Sequence, residues 1–276
     1  MYSRNGWDLA IIDLRATGER IFSVSDYSSL TLGRTGAFFN RINQFNEDRS
    51  HPGYFYPNLA SPNMNMLELM SLRYVVATEN DSRPILAKLK PWSTRWRTVH
   101  RGIGKWNLSV FENTSPLPRA YVAFQSIEAA DGASALDAIS KPRFNPRITV
   151  VIEGSDRPSQ GSVPRPIQPA KITSYRADAV TIEVRTDEAG YLVLTDSNYP
   201  GWIAEIDGRP VETLFANYLF RAVEVPAGSH RVTFRYEPRS VQIGAAISMA
   251  SLALLAAVMI GDRIGARRFL AGARPK

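Results

Sequence analysis

Residues 241–261 read VQIGAAISMASLALLAAVMIG, twenty-one positions without a charge. A bilayer core of about 30 Å needs about 20 apolar residues at 1.5 Å of rise each. Buried helices of soluble proteins usually stop near 10–14 apolar residues. The run therefore predicts one transmembrane helix. Arg263, Arg267, Arg268, Arg274 and Lys276 follow it against Asp262, while Arg231, Arg235 and Arg239 precede it against Glu237. Basic residues favour the cytoplasmic side of a span. The flanks thus predict a basic cytoplasmic tail over 262–276, with the bulk of the chain extracytoplasmic.

Of the formal net charge of +7, the tail supplies four, from five bases against one acid. The remainder is a weakly basic surface with no dense Lys/Arg stripe, so nucleic acid is not an expected partner. The chain has no cysteine, which excludes disulfides, thiolate catalysis and thiolate metal sites. His51, His100 and His230 stand far apart and outside any ligand spacing, so no metal is expected. Walker, GxGxxG and GxSxG motifs are absent. The first twenty residues hold no apolar core of the secretory type. With the domain predicted outside, this suggests that Met1 is not the native start and that further spans precede it.

The organisation follows from periodicity. Residues 1–154 read as a mixed α/β extracytoplasmic segment. Within it, 7–14 suit a short helix or strand, 20–24 a strand, 26–36 a polar loop and 50–63 a proline-rich loop. Asn63 opens a helix whose face carries Met66, Leu69, Met70 and Leu72, and Arg73 begins a buried strand, RYVVAT. A further strand is expected over 103–112. Strands over 119–125 and 147–153 flank a helix capped by Asp131, a strand–helix–strand unit. Residues 155–169, with four prolines, read as a linker.

Residues 170–240 read as an antiparallel β-sandwich. Val180, Ile182 and Val184 alternate with polar residues, Asp207-Gly208 marks a hairpin, and residues 226–230 form another tight turn. The predicted fold class is an α+β segment, then the sandwich, then one C-terminal transmembrane helix. Only four residues, Glu237 to Ser240, separate the last strand from the apolar run, which places the sandwich close to the lipid headgroups.

Tyr191, Tyr199, Trp202, Tyr218 and Phe220 are candidates for stacking on sugar rings, with Asp196, Asn198 and Asn217 able to hydrogen-bond hydroxyls. The competing reading places these aromatics in the sandwich core. Asp196, Glu205 and Asp207 are near in sequence, but Asp207 reads more simply as a hairpin residue than as half of a hydrolytic pair. Gly244, Ser248 and Ser251 share one helix face, as in spans that pack against other helices.

The motifs Gly190-Tyr191, Tyr199-Pro200-Gly201-Trp202, Asp207-Gly208, Ala216-Asn217-Tyr218, Phe220-Arg221-Ala222-Val223, Val225-Pro226-Ala227-Gly228 and Phe234-Arg235-Tyr236 stand in order before a terminal span. Over 190–260 this closely resembles the C-terminal end of bacterial YfhO-like membrane proteins, polytopic proteins of the GT-C glycosyltransferase type. Residues 66–76 and 116–121 resemble upstream parts of that family. The resemblance implies a parent that transfers sugar from a polyprenyl-phosphate donor to a cell-envelope polymer. The catalytic acid of such enzymes stands beside a membrane bundle that this chain lacks. No residue here inherits that role, and no cofactor is expected in this chain. The implied partners are the lipid bilayer, upstream transmembrane helices of the parent and the glycopolymer, in a bacterial cell membrane. The alternatives are a self-standing, membrane-anchored carbohydrate-binding or interaction module and a membrane-attached glycoside hydrolase.

Overall fold

The computed structural model describes residues 33–42, 63–78, 95–104, 107–154 and 164–272. The elements expected over 7–14 and 20–24 and the loop over 50–62 lie outside these residues. The first described element is helix α1 (Gly33–Ile42), which buries Phe38, Phe39 and Ile42. Residues 33–36, expected as the end of a polar loop, are therefore helical. The aromatic pair and Ile42 form an apolar face, and its burial outweighs the helix-weak Gly33 and Thr35.

Helix α2 (Met64–Leu69) begins as expected, with the Asn63 side chain accepting from the Met66 N–H. It stops at Leu69, because Ser71 takes φ 56° and turns the chain. Strands β1 (Tyr74–Thr78), β2 (Trp96–Ile103) and β3 (Leu108–Asn113) form an antiparallel sheet in the order β1-β3-β2. Two expectations change here. The strand expected to be buried, β1, lies at a sheet edge with Tyr74 50% exposed. The strand expected over 103–112 is broken by a turn, with Gly104 at φ 64° and Asn107 at φ 49°.

The strand expected over 119–125 is likewise two, β4 (Ala120–Ala123) and β5 (Gln125–Ala129). Asp131 caps α3 (Gly132–Ser140), its carboxylate accepting from the Ser134 N–H at 2.7 Å. Strand β6 (Thr149–Glu153) returns parallel to β5, which completes the strand–helix–strand unit. Strand β7 (Gln168–Pro169) lies at the end of the stretch expected as a linker and pairs with β4. Then follow β8 (Lys171–Tyr175), β9 (Ala179–Thr186), β10 (Gly190–Ser197), β11 (Trp202–Ile206), β12 (Arg209–Val211), β13 (Leu214–Ala216), β14 (Phe220–Val225) and β15 (Gly228–Tyr236). The β11–β12 turn is the expected Asp207-Gly208 pair, with φ 52° and 78°.

Among the described residues these strands make two larger sheets. One has seven strands, β5-β6-β13-β14-β10-β4-β7, and the other five, β12-β11-β15-β9-β8. All pairings are antiparallel except β5–β6. The seven-stranded sheet takes β4, β5 and β6 from before residues 155–169 and β10, β13 and β14 from after them. Period-two alternation gives this sheet two apolar faces. Val122, Leu192, Val223 and Val225 meet Val180, Ile182, Val232 and Phe234 of the five-stranded sheet. Tyr121, Tyr191, Val193 and Phe220 face α1, α2 and α3. Burying each such side chain contributes about 1.5–3 kcal/mol. The sandwich thus carries a helical third layer. Arg34 ties α1 to it, donating to both Glu153 oxygens at 2.7 Å and to the Tyr218 carbonyl at 2.7 Å.

After β15 the chain enters helix α4 (Arg239–Gly272). The helix starts two residues before the apolar run and continues through much of the expected tail. Its segment Arg239–Met259 is long and apolar enough to cross a membrane, and none of it is buried against the other described residues.

Candidate functional site

The polar centre of the sandwich lies at the end from which α4 leaves. Between β10 and β14 the register shifts after Leu194, which opposes Arg221, to Ser197, which opposes Phe220. Asp196 sits in this irregularity. Its Oδ1 accepts from Arg119 Nη2, and its Oδ2 accepts from Arg221 Nη2 at 3.0 Å and from the Tyr175 hydroxyl at 2.9 Å. Arg119 also donates to the Tyr175 oxygen at 3.1 Å. Burial works against the Arg119 charge, but Asp196 and Tyr175 more than offset it and raise its pKa. Burial and Asp196 raise that of Tyr175.

Arg221 points from β14 into the space between the sheets, on the same side as Val223 and Val225. Its side chain is 3% exposed, with the guanidinium 3.6 Å from the centroid of the Trp202 ring. Burial lowers its pKa, with Asp196 opposing. Arg221 Nε and Nη1 have no hydrogen-bond partner among the described residues; the face of the indole lies against this cation instead.

Around this centre the chain makes its exit. Trp202 opposes Tyr236 in the β11–β15 pairing. Tyr199 meets Tyr236 edge-on at 5.4 Å and Trp202 at 6.2 Å between centroids, and Trp202 lies 5.3 Å from Tyr236. Gly201 adopts φ 108°, where a Cβ would stand 2.7 Å from the Tyr236 ring and 3.2 Å from Pro238 Cα. The Gly201 carbonyl accepts from the Glu237 N–H at 2.7 Å, and the Asp178 carbonyl accepts from the Tyr236 N–H at 2.9 Å. The last residues before α4 are thus held by one loop on each side.

Of the residues singled out as sugar-binding candidates, Asp196, Tyr199 and Trp202 come together at this exit. Tyr191, Asn217, Tyr218 and Phe220 belong to the opposite, helix-facing side of the seven-stranded sheet, and their side chains are buried. Tyr218 stacks on Phe38 at 6.5 Å with 6° between planes. Asn217 completes the sheet, with its Oδ1 accepting from the Val151 N–H at 2.9 Å and its Nδ2 donating to the Tyr121 hydroxyl at 3.2 Å. Asn198 donates to the Leu214 carbonyl at 3.3 Å. Sequence reasoning passed over Arg119, Tyr175, Arg221 and Tyr236. For Arg221 a signal existed, a lone arginine on the apolar side of an alternating strand.

The three carboxylates near in sequence are held separately. Asp196 has its two arginines, and Glu205 accepts from Arg235 Nη2 at 2.6 Å. Asp207 accepts from the Arg231 N–H at 2.8 Å and lies 2.8 Å from His230 Nδ1. The hydrogen bond to Asp207 raises the His230 pKa, and the Arg231 N–H, then His230, lower that of Asp207. The outer face of the five-stranded sheet is an open groove of about 950 Å³ that includes Lys171, Glu183, Arg185, Glu205, His230 and Arg231. No Tyr, Trp or Phe lines it. Among the described residues no cluster of three His, Asp or Glu side chains is placed to hold a metal.

Residues 165–248 match the family described as bacterial membrane protein YfhO. This bears out the resemblance drawn from the ordered motifs. The matched stretch begins just before β7, takes in the five-stranded sheet with β10, β13 and β14, and ends inside α4. No curated protein and no solved structure matches the chain.

Proposed function

We propose that this chain is the extracytoplasmic domain and final span of a polytopic YfhO-like membrane protein, whose catalytic bundle lies outside it. In that parent the domain supports transfer of sugar from a polyprenyl-phosphate donor to a cell-envelope polymer, by holding the acceptor or bracing the bundle. The observation that carries this reading is the continuity of the family match across the exit of α4. The match runs from β7 through β15 and into the first turns of α4, and α4 presents Val241, Ile247, Leu252 and Leu255 outward with nothing among the described residues to cover them. Lipid and neighbouring spans are the natural cover for such a surface. Asp196, Glu205 and Asp207 are each held by an arginine or a backbone N–H of the sandwich, which favours a structural role for these three carboxylates.

Immunoblotting of host membranes with an antibody to residues 170–238 tests this. A band far above the 30.7 kDa of this chain and loss of the sugar from the envelope polymer on deletion of those residues are expected. A native product of about the mass of this chain overturns the proposal.

A further inference from the structure

The exit of α4 fixes which end of the sandwich meets the bilayer, an inference that rests on α4 crossing it. The loop of residues 176–178, between β8 and β9, reaches the exit through Asp178, whose carbonyl accepts from Tyr236. The turn of residues 199–201 reaches it from the other side through Gly201 and Glu237. From Tyr236 to Arg239 the chain extends at most about 11 Å. The polar layer on one side of a bilayer is about 5–8 Å thick. Both loops therefore stand within a short step of the headgroups, and the aromatic packing of Tyr199, Trp202 and Tyr236 keeps them there. The side chains at this end suit that level. Tyr175 is 40% exposed, and tyrosine is enriched at membrane interfaces. Arg176 is exposed, and its pairing with Asp178 at 3.1 and 3.2 Å is a solvent-facing one of small worth. A lipid phosphate can take its place. Arg239, the first residue of the span, is exposed three residues after Tyr236.

We infer that the end of the sandwich formed by residues 175–178 and 199–201 is a phospholipid-headgroup contact surface, with Tyr175 at the glycerol level and Arg176 and Arg239 on phosphates. Asp187 and Glu188, at the far end of β9, lie up to about 25 Å from that surface, at 3.3 Å per residue.

The absence of cysteine allows a direct test on the full chain in nanodiscs of phosphatidylcholine and phosphatidylglycerol. Single variants Ala177→Cys, Asp187→Cys and Ser251→Cys carry a fluorophore, and the lipids carry a nitroxide on the headgroup or midway along the acyl chain. Expected are strong quenching at 251 by the acyl nitroxide, and quenching at 177 by the headgroup nitroxide several-fold greater than at 187. If 251 is quenched while 177 is quenched no more than 187, the headgroup surface is wrong and protein or water covers this end. If 251 is not quenched, the span itself is wrong and the surface falls with it.

Discussion

The Arg221 guanidinium lies over the Trp202 ring, 3.6 Å from its centroid, with Asp196 as its one hydrogen-bonded counter-charge. Asp196 also serves Arg119, so it stands between two cations. Removing the carboxylate in Asp196→Ala leaves both behind, and breaking a buried pair this way costs about 3–5 kcal/mol. Arg221→Met leaves Asp196 paired with Arg119 and puts an apolar chain against Trp202. The smaller loss is expected there. Urea unfolding of the two variants in detergent compares them, and the opposite order would show that Arg221, not Asp196, organises the centre.

Gly201 is needed for its conformation and for its lack of a side chain. Gly201→Ala meets the Tyr236 ring and strains a backbone at φ 108°, at an expected cost of about 1–3 kcal/mol. The loss should appear at the exit of α4 as well as in overall stability. Spin labels at Asp187→Cys and Ser251→Cys should give a narrow distance distribution in the parent sequence and a broader one with Gly201→Ala. Equal widths would mean that the turn does not fix the span.

Asn217→Ala should cost about 1–3 kcal/mol, because it leaves the buried Val151 N–H without its acceptor. Hydrogen exchange at the Val151 amide should accelerate. Asn217→Gly should restore the ease of the φ 48° backbone but not the Val151 protection, which separates the two roles.

The His230–Asp207 pair predicts a pH dependence. The folded pKa of His230 is raised, so its contribution is complete below the ordinary 6.5 and is lost as pH rises through the folded value. That of Asp207 is lowered, so its contribution is present above 3.8 and is lost as pH falls through the folded value. Both hold between these limits. The Tm difference between the parent sequence and His230→Gln should be larger near about pH 5.5 than near about pH 8.5. A difference independent of pH would place the interaction outside the charge of the imidazole.

Local signals in the sequence found local structure. The Asp131 and Asn63 caps, the Asp207-Gly208 turn and the alternation of Val180, Ile182 and Val184 each depend on neighbours within a few residues, and each appears as read. Strand breaks were harder. The runs around Phe124 and Gly104 look continuous as apolar patterns, and their breaks depend on which sheet each half joins. The pairing of β4 with β10 and β7 is fixed by partners far along the chain, which no window reports. The candidate site was legible in part for the same reason. Tyr199 and Trp202 are close in sequence and in space, whereas Arg119 and Tyr175 reach Asp196 from distant strands. Tyr191 and Tyr218 carry the same aromatic signal as Trp202 and lie on the other side of the sheet.

The seven-stranded sheet also sets a timetable. Its strand β4 finds its neighbour β10 only after roughly 70 further residues, and synthesis supplies about 5–20 residues per second. For much of that interval, about 4–14 seconds, Tyr121 and Val122 have no neighbour, and the two residues of β7 are the first to reach them. A chain emerging in order thus passes through a stage with a hydrophobic edge strand open to any passing partner.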